Sequence, residues 1–116
     1  MDIIWPNNEN VIRDNILNNN SIVCKLCYKD FSMLFTGDIE KVAEMQIMGE
    51  YDDKKKILES TILKVGHHGS KTSSSEDFIS IVKPRIALIG VGNDNKFGHP
   101  SMDVINNFSQ QRNTNI

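Results

Sequence analysis

Long apolar runs are missing from this sequence. None approaches the roughly 18–20 residues needed to cross a bilayer. The opening Met1-Asp2-Ile3-Ile4-Trp5-Pro6 also lacks the basic-then-apolar layout of a signal peptide. The chain as written is therefore expected to be soluble. A cationic excess is missing too: 13 Lys and Arg against 15 Asp and Glu leave a formal charge of -2. That argues against a protein that coats nucleic acid through a broad basic face, and leaves room for a site that handles one phosphate at a time. Cysteine is scarce, with Cys24 and Cys27 spaced C-x-x-C and no second pair to complete a zinc knuckle. Both fall in an expected strand, where residues three apart point to opposite faces. They are expected to be small buried apolar residues in a reducing compartment. Internal repeats are absent.

What remains is ordinary for one small folded unit, or a piece of a larger one: 116 residues, 39% apolar and 24% charged. Residues 1–19 read as an irregular lead-in, with Asn18-Asn19-Asn20 as a turn or loop entry. Ile22–Tyr28 and Phe31–Thr36 flank Lys29-Asp30, the pattern of a hairpin. Apolar residues on both faces of the second strand (Phe31, Met33 and Phe35 against Leu34) predict a strand buried on both sides.

A helix is expected over Ile39–Met48 on the spacing of Ile39, Val42, Ala43, Gln46 and Ile47. A solvated connection follows through Lys54-Lys55-Lys56, then a strand over Thr61–Val65. Ser73 with Glu76 fits a capping box that opens a helix ending before Pro84. Ile86–Ile89 reads as a strand, and Pro100 suits the first turn of a last helix carrying Val104, Ile105 and Phe108. This alternation predicts an α/β architecture of helices packed on a mixed sheet. The polar stretch 109–116 is expected to fray, without a final strand.

The chemistry-bearing residues fall at strand ends. Asp38 follows one strand, His67 and His68 the next, and His99 lies in the loop after the third. Ligands of open α/β sheets gather at such carboxyl ends. Asp and His are donor types that zinc, manganese or iron accept. Gly-Asp after a strand is often only a turn, but adjacent histidines between Gly66 and Gly69 serve packing poorly, and glycine permits close backbone approach to a ligand. Gly69-Ser70-Lys71-Thr72 is not a P-loop, because Ser70 stands where that motif needs glycine. The hydroxyl-rich stretch Ser70, Lys71, Thr72 and Ser73 reads either as a phosphate-binding helix entry or as a plain capped helix start. No G-x-S-x-G elbow marks a nucleophilic serine.

Leu34-Phe35-Thr36-Gly37-Asp38-Ile39-Glu40, Leu63-Lys64-Val65-Gly66-His67-His68-Gly69-Ser70-Lys71-Thr72-Ser73 and Phe97-Gly98-His99-Pro100-Ser101, preceded by Asn20-Ser21-Ile22-Val23, together resemble one family. It is the metallo-β-lactamase-fold domain at the C-terminal end of ComEC-type DNA-uptake proteins and of related metal-dependent hydrolases. The resemblance runs from about Asn19 to Phe108. It implies half of an αββα sandwich, with Asp38 and His67 as metal ligands and His68 and His99 as catalytic residues. It leaves open which of the two adjacent histidines binds metal. It further implies a divalent metal (zinc first, manganese second) and hydrolysis of a phosphodiester, DNA in the parent proteins, which are membrane-associated in bacteria.

The first-half motif H-x-[H/D]-x-D-H of that fold is missing, since the only histidines are 67, 68 and 99. Residues 1–116 are accordingly expected to form a single C-terminal half-domain, a natural truncation or an expressed fragment. Alone, it would be inactive or weakly active and would hold its metal incompletely. The alternative is a binding or assembly module that pairs with a missing N-terminal half or with itself.

Overall fold

The computed structural model describes all residues except 8, 10, 112 and 113. Five strands form one mixed sheet whose spatial order, β1-β2-β3-β4-β5, is also the chain order. They are β1 (Asp2–Trp5), β2 (Val23–Tyr28), β3 (Phe31–Phe35), β4 (Ile62–Lys64) and β5 (Ile86–Leu88). The first three run antiparallel, and the β2–β3 hairpin turns where expected, with Tyr28 opposite Phe31. β3, β4 and β5 are parallel, with Leu34, Leu63 and Ala87 in one cross-strand row. Parallel neighbours require crossovers. Those are provided by α2 (Lys41–Glu50) and α3 (Glu76–Val82), while α1 (Ile16–Asn19) precedes the hairpin and α4 (Met102–Ser109) follows β5.

Side chains alternate across a strand, and among the described residues the helices cover one face of this sheet. Leu34, Leu63 and Ala87 are buried together with Ala43 and Ile47 of α2, Phe78, Ile79 and Val82 of α3, and Val104 and Phe108 of α4. On the other face, Cys24, Leu26, Met33, Phe35, Ile62 and Leu88 share a side by register, and none of them is buried. The expectation that β3 is buried on both sides is corrected by this one-sided helix layer. The cysteines are corrected likewise. Cys24 lies half-buried on the open face, and Cys27 is exposed near the hairpin.

The N-terminal segment is not an irregular lead-in. β1 pairs with β2, and Trp5 is fully buried with its indole Nε1–H donating to Asn19 O at 2.8 Å. Burial of a side chain of that size contributes about 2–3 kcal/mol, enough to fix an otherwise polar stretch. The tail also returns to the sheet. Ala87 N donates to Asn115 O and Asn115 N to Arg85 O, both at 2.8 Å, which places Asn115 parallel to Ile86 at the β5 edge. The backbone donors and acceptors of an edge strand are what bind this polar tail, so its composition gave no apolar signal.

Three local expectations shift. α3 is capped by Ser75, whose Oγ accepts Phe78 N at 3.2 Å, and not by Ser73. α4 is capped by Ser101, which accepts Val104 N at 3.3 Å and leaves Pro100 ahead of the helix. The inward stripe of α2 is Ala43, Glu44 and Ile47, so a carboxylate sits where apolar spacing pointed to Val42, which is 40% exposed.

Candidate functional site

The parallel register of β3, β4 and β5 sends their following loops to one edge of the sheet. Asp38 enters through a left-handed Gly37 (φ +55°) packed so closely on Ser21 that an added Cβ would lie 2.7 Å from the serine Cβ. Ser21 Oγ accepts Asp38 N at 3.2 Å. The loop after β4 is tied to the same turn, because His67 N donates to Gly37 O at 2.9 Å. His67 and His68 are both left-handed (φ 50° and 55°) and are followed by Gly69 at +78°. Consecutive left-handed non-glycine residues are rare and costly. Here they turn two imidazoles toward different partners.

His68 faces Asp38, with Nε2 3.7 Å from Oδ1. Its Nδ1 lies 2.7 Å from Gly90 O, in the loop after β5. A carbonyl only accepts, so Nδ1 carries a proton, and Nε2 is the ring nitrogen turned to Asp38. His67 is held differently. Its Nδ1 lies 3.3 Å from Thr72 Oγ1 and 3.8 Å from Glu40 Oε2, and its Nε2 lies 3.5 Å from Asn18 Nδ2. The imidazole within ion-pair distance of Asp38 is thus His68; the resemblance named Asp38 and His67 as ligands and left open which of the two histidines binds metal.

His99 reaches the same edge, its ring 6.1 Å from that of His67 in an edge-to-face arrangement. Burial, and then the positive charge of His67 and of His68, hold the His99 imidazole below its ordinary pKa. That favours the neutral ring.

The support comes from residues to which sequence patterning assigned no role. Asn19, fully buried, accepts Glu40 N at 2.8 Å through Oδ1 and donates to Glu40 Oε1 at 3.0 Å. Burial pushes the Glu40 carboxyl up, but hydrogen bonds from Asn15, Thr72 and Asn19 and the charge of His67 together outweigh it and hold the group below the usual carboxylate range. Glu44 lies beneath the following loop, where it accepts Ser74 N and, at 3.0 Å, Ser75 N. Its burial outweighs those bonds and the charge of Lys41, and raises its pKa. A carboxylate inside a nominally apolar helix stripe is the one signal that would have pointed to Glu44. The Asn and Glu residues around His67 carry no such signal.

Glu44 also changes the expected phosphate stretch. The N–H groups of Ser74 and Ser75 go to Glu44, Thr72 N to Ser70 Oγ (3.3 Å) and Ser73 N to Ser70 O (3.0 Å). Ser73 is buried and donates its hydroxyl to Gly66 O and Ser70 O. Ser70 is buried too, its hydroxyl 2.9 Å from that of Thr72. Those backbone donors are spent inside the protein, so only the exposed Lys71 and Thr72 of this stretch present side chains outward.

Asp and imidazole donors match a zinc- or manganese-type site in chemistry and fall short of one in number. Among the described residues, no group of three or more His, Cys, Asp or Glu side chains is placed to hold a metal ion. Structural and catalytic zinc sites take three or four protein donors, and the geometry offers Asp38 with His68 on one side and Glu40 with His67 on the other. The described residues alone do not fit a closed metal site. Among them, no helix is long and apolar enough to cross a membrane.

Comparison with known proteins gives relatives by sequence. No family model and no solved structure matches the chain. It is 38% identical over 88 residues to ComE operon protein 3 of Bacillus subtilis (strain 168), covering 76% of this chain and 11% of that protein. It is 36% identical over 89 residues to competence protein ComA of Neisseria gonorrhoeae, covering 77% and 12%. The uncharacterized protein YcaI of Escherichia coli (strain K12) is 37% identical over 94 residues, covering 81% and 12%. The chain spans about a tenth of the length of these relatives. Over roughly three quarters of its own length, it is therefore a relative of a segment of the competence proteins.

Proposed function

We propose that this chain contributes part of a metal-dependent phosphodiester hydrolase that acts on DNA in uptake, with a metallo-β-lactamase-type half-sandwich as its fold. The observation that carries the reading is the His68–Asp38 pair: an imidazole whose Nδ1–H is held by Gly90 O, with its Nε2 set beside a carboxylate. A hydrogen bond that holds the far ring nitrogen is what orients metal-ligating histidines. The resemblance to DNA-uptake proteins suggests DNA as the substrate, and the relative named competence protein ComA agrees with that suggestion. Asp38 and His68 are two donors of the set, and the remainder come from outside the described residues. His99, neutral and close to His67, faces the substrate, and Lys71 and Thr72 meet its phosphate.

The test is zinc titration of the purified chain by calorimetry, with elemental mass spectrometry after dialysis. Weak binding that disappears in Asp38→Ala and in His68→Asn supports the reading. Zinc affinity untouched by either substitution sinks it. So does hydrolysis of DNA by the chain alone at the rate of a complete enzyme.

A second reading, an assembly module, is favoured by the uncovered sheet face. Leu26, Met33, Phe35 and Ile62 lie together on this face, and Lys64 stands between Phe35 and Leu88 at its edge. Surfaces of that kind mark interaction sites. The two readings are compatible, because a second layer on this face is one route by which missing donors reach the site.

A further inference from the structure

We infer that Phe97 is a stacking platform for an unpaired base of single-stranded nucleic acid at the mouth of the site, an inference that rests on the phosphodiester reading above. Phe97 is 81% exposed. Its ring stacks on His99, centroids 5.6 Å apart and planes 25° from parallel, and His99 meets His67 edge-on. One face of the phenyl ring is thus backed by the site's own imidazole, and the rest stands in water.

The loop that presents the ring is braced. Asn95 Oδ1 accepts His99 N at 2.7 Å, and Asn95 Nδ2 donates to His99 O at 2.8 Å and to Gly92 O at 3.2 Å. Gly98, left-handed at φ +68°, makes the turn between the two stacked rings. A loop already braced loses little entropy when a ligand arrives. The ring is mostly in water, so apart from its stack on His99 it buries little apolar surface in the fold.

The chemistry selects the ligand. A phenyl face recognises a flat π-surface, and bases stack on such rings with little regard to sequence. In a duplex both faces of each base are already covered by neighbours, so the ring engages unpaired bases only. Lys96, exposed and adjacent in the chain, supplies a cation for the accompanying phosphate.

The experiment is fluorescence anisotropy of a labelled oligothymidylate with the full chain, in the presence of a chelator. The native chain binds the single strand, and Phe97→Ala weakens binding by about 5- to 150-fold, the range that one stacked base represents. Phe97→Trp restores it. Tyr28→Ala, which removes another exposed aromatic at the hairpin, leaves binding unchanged. An abasic oligomer binds the native chain no better than oligothymidylate binds Phe97→Ala. Equal binding by native and Phe97→Ala chains overturns the inference, as does a duplex held as tightly as the single strand, or no binding of the single strand at all. With chelator present, metal plays no part in this readout. Unchanged zinc affinity in Asp38→Ala would sink the hydrolase reading without moving this result, and the converse also holds.

Discussion

A Cβ added to Gly69 would lie 2.7 Å from the Cβ of Pro100 and 3.0 Å from its Cα. The turn that carries the paired histidines and the loop that carries His99 are thereby pressed together, and Ser101 N donates to Gly69 O at 2.9 Å across the same contact. Both the close approach and the left-handed backbone require glycine here.

Gly69→Ala is expected to destabilise the chain by about 1–3 kcal/mol, the cost of a strained left-handed residue, and to displace His99 from His67. Chemical denaturation measures the first effect, and histidine ring shifts in NMR spectra measure the second. Unchanged stability and unchanged shifts would show that the two loops are not coupled.

Asparagine is the substitution of choice at positions 67 and 68, because it tolerates the left-handed region that both residues occupy. His68→Asn is expected to lower zinc affinity by about tenfold or more, whereas His67→Asn leaves the Asp38–His68 pair in place and lowers it less. Calorimetric titration of the two variants checks the order. The reverse order would restore His67 as the partner of Asp38.

Glu44 gives a pH dependence with a definite sign. Its pKa is raised in the folded chain, so its contribution to stability is fully present below the unfolded carboxylate value of about 4.5 and is lost as pH rises through the higher folded value. Glu44→Ala removes that dependence. It also leaves the buried Ser74 N–H without its acceptor, at a cost of about 1–3 kcal/mol. Denaturation curves of both proteins across the acid-to-neutral range test this; parallel profiles would exclude Glu44 as the source.

If the open sheet face mediates association, the mass of the native chain in light scattering rises with concentration, and Met33→Lys holds it at the monomer value. Met33 lies mid-strand on that face, opposite Leu26 and Ile62. A native chain that stays monomeric throughout would leave self-association without support.

The strand-end logic was legible in the sequence because it depends on chain order and apolar alternation. The hairpin, the parallel strands and the gathering of Asp38, His67, His68 and His99 at one edge follow from it. Partners set by backbone direction were not legible. Whether His67 or His68 turns to Asp38 is decided by two left-handed residues, and adjacency in sequence carries no sign of that rotation. Asn19, in a run of three asparagines, reads as loop, although burial of Trp5 against its carbonyl makes it the brace of Glu40. Glu44 was hidden because helical spacing weighs side chains by apolarity, and its anchoring value lies in the N–H groups it accepts.

The identity of spatial and chain order across the sheet has a kinetic meaning. Each strand pairs with the one just before it in the chain, so every pairing has its partner already synthesised and closes no loop longer than one connection. The site does not mature on that schedule. Asp38 and His68 are in hand once β4 has joined, yet the Gly90 carbonyl that orients His68 and the Pro100 that packs on Gly69 arrive only after β5. A nascent chain therefore carries its donors well before it can aim them.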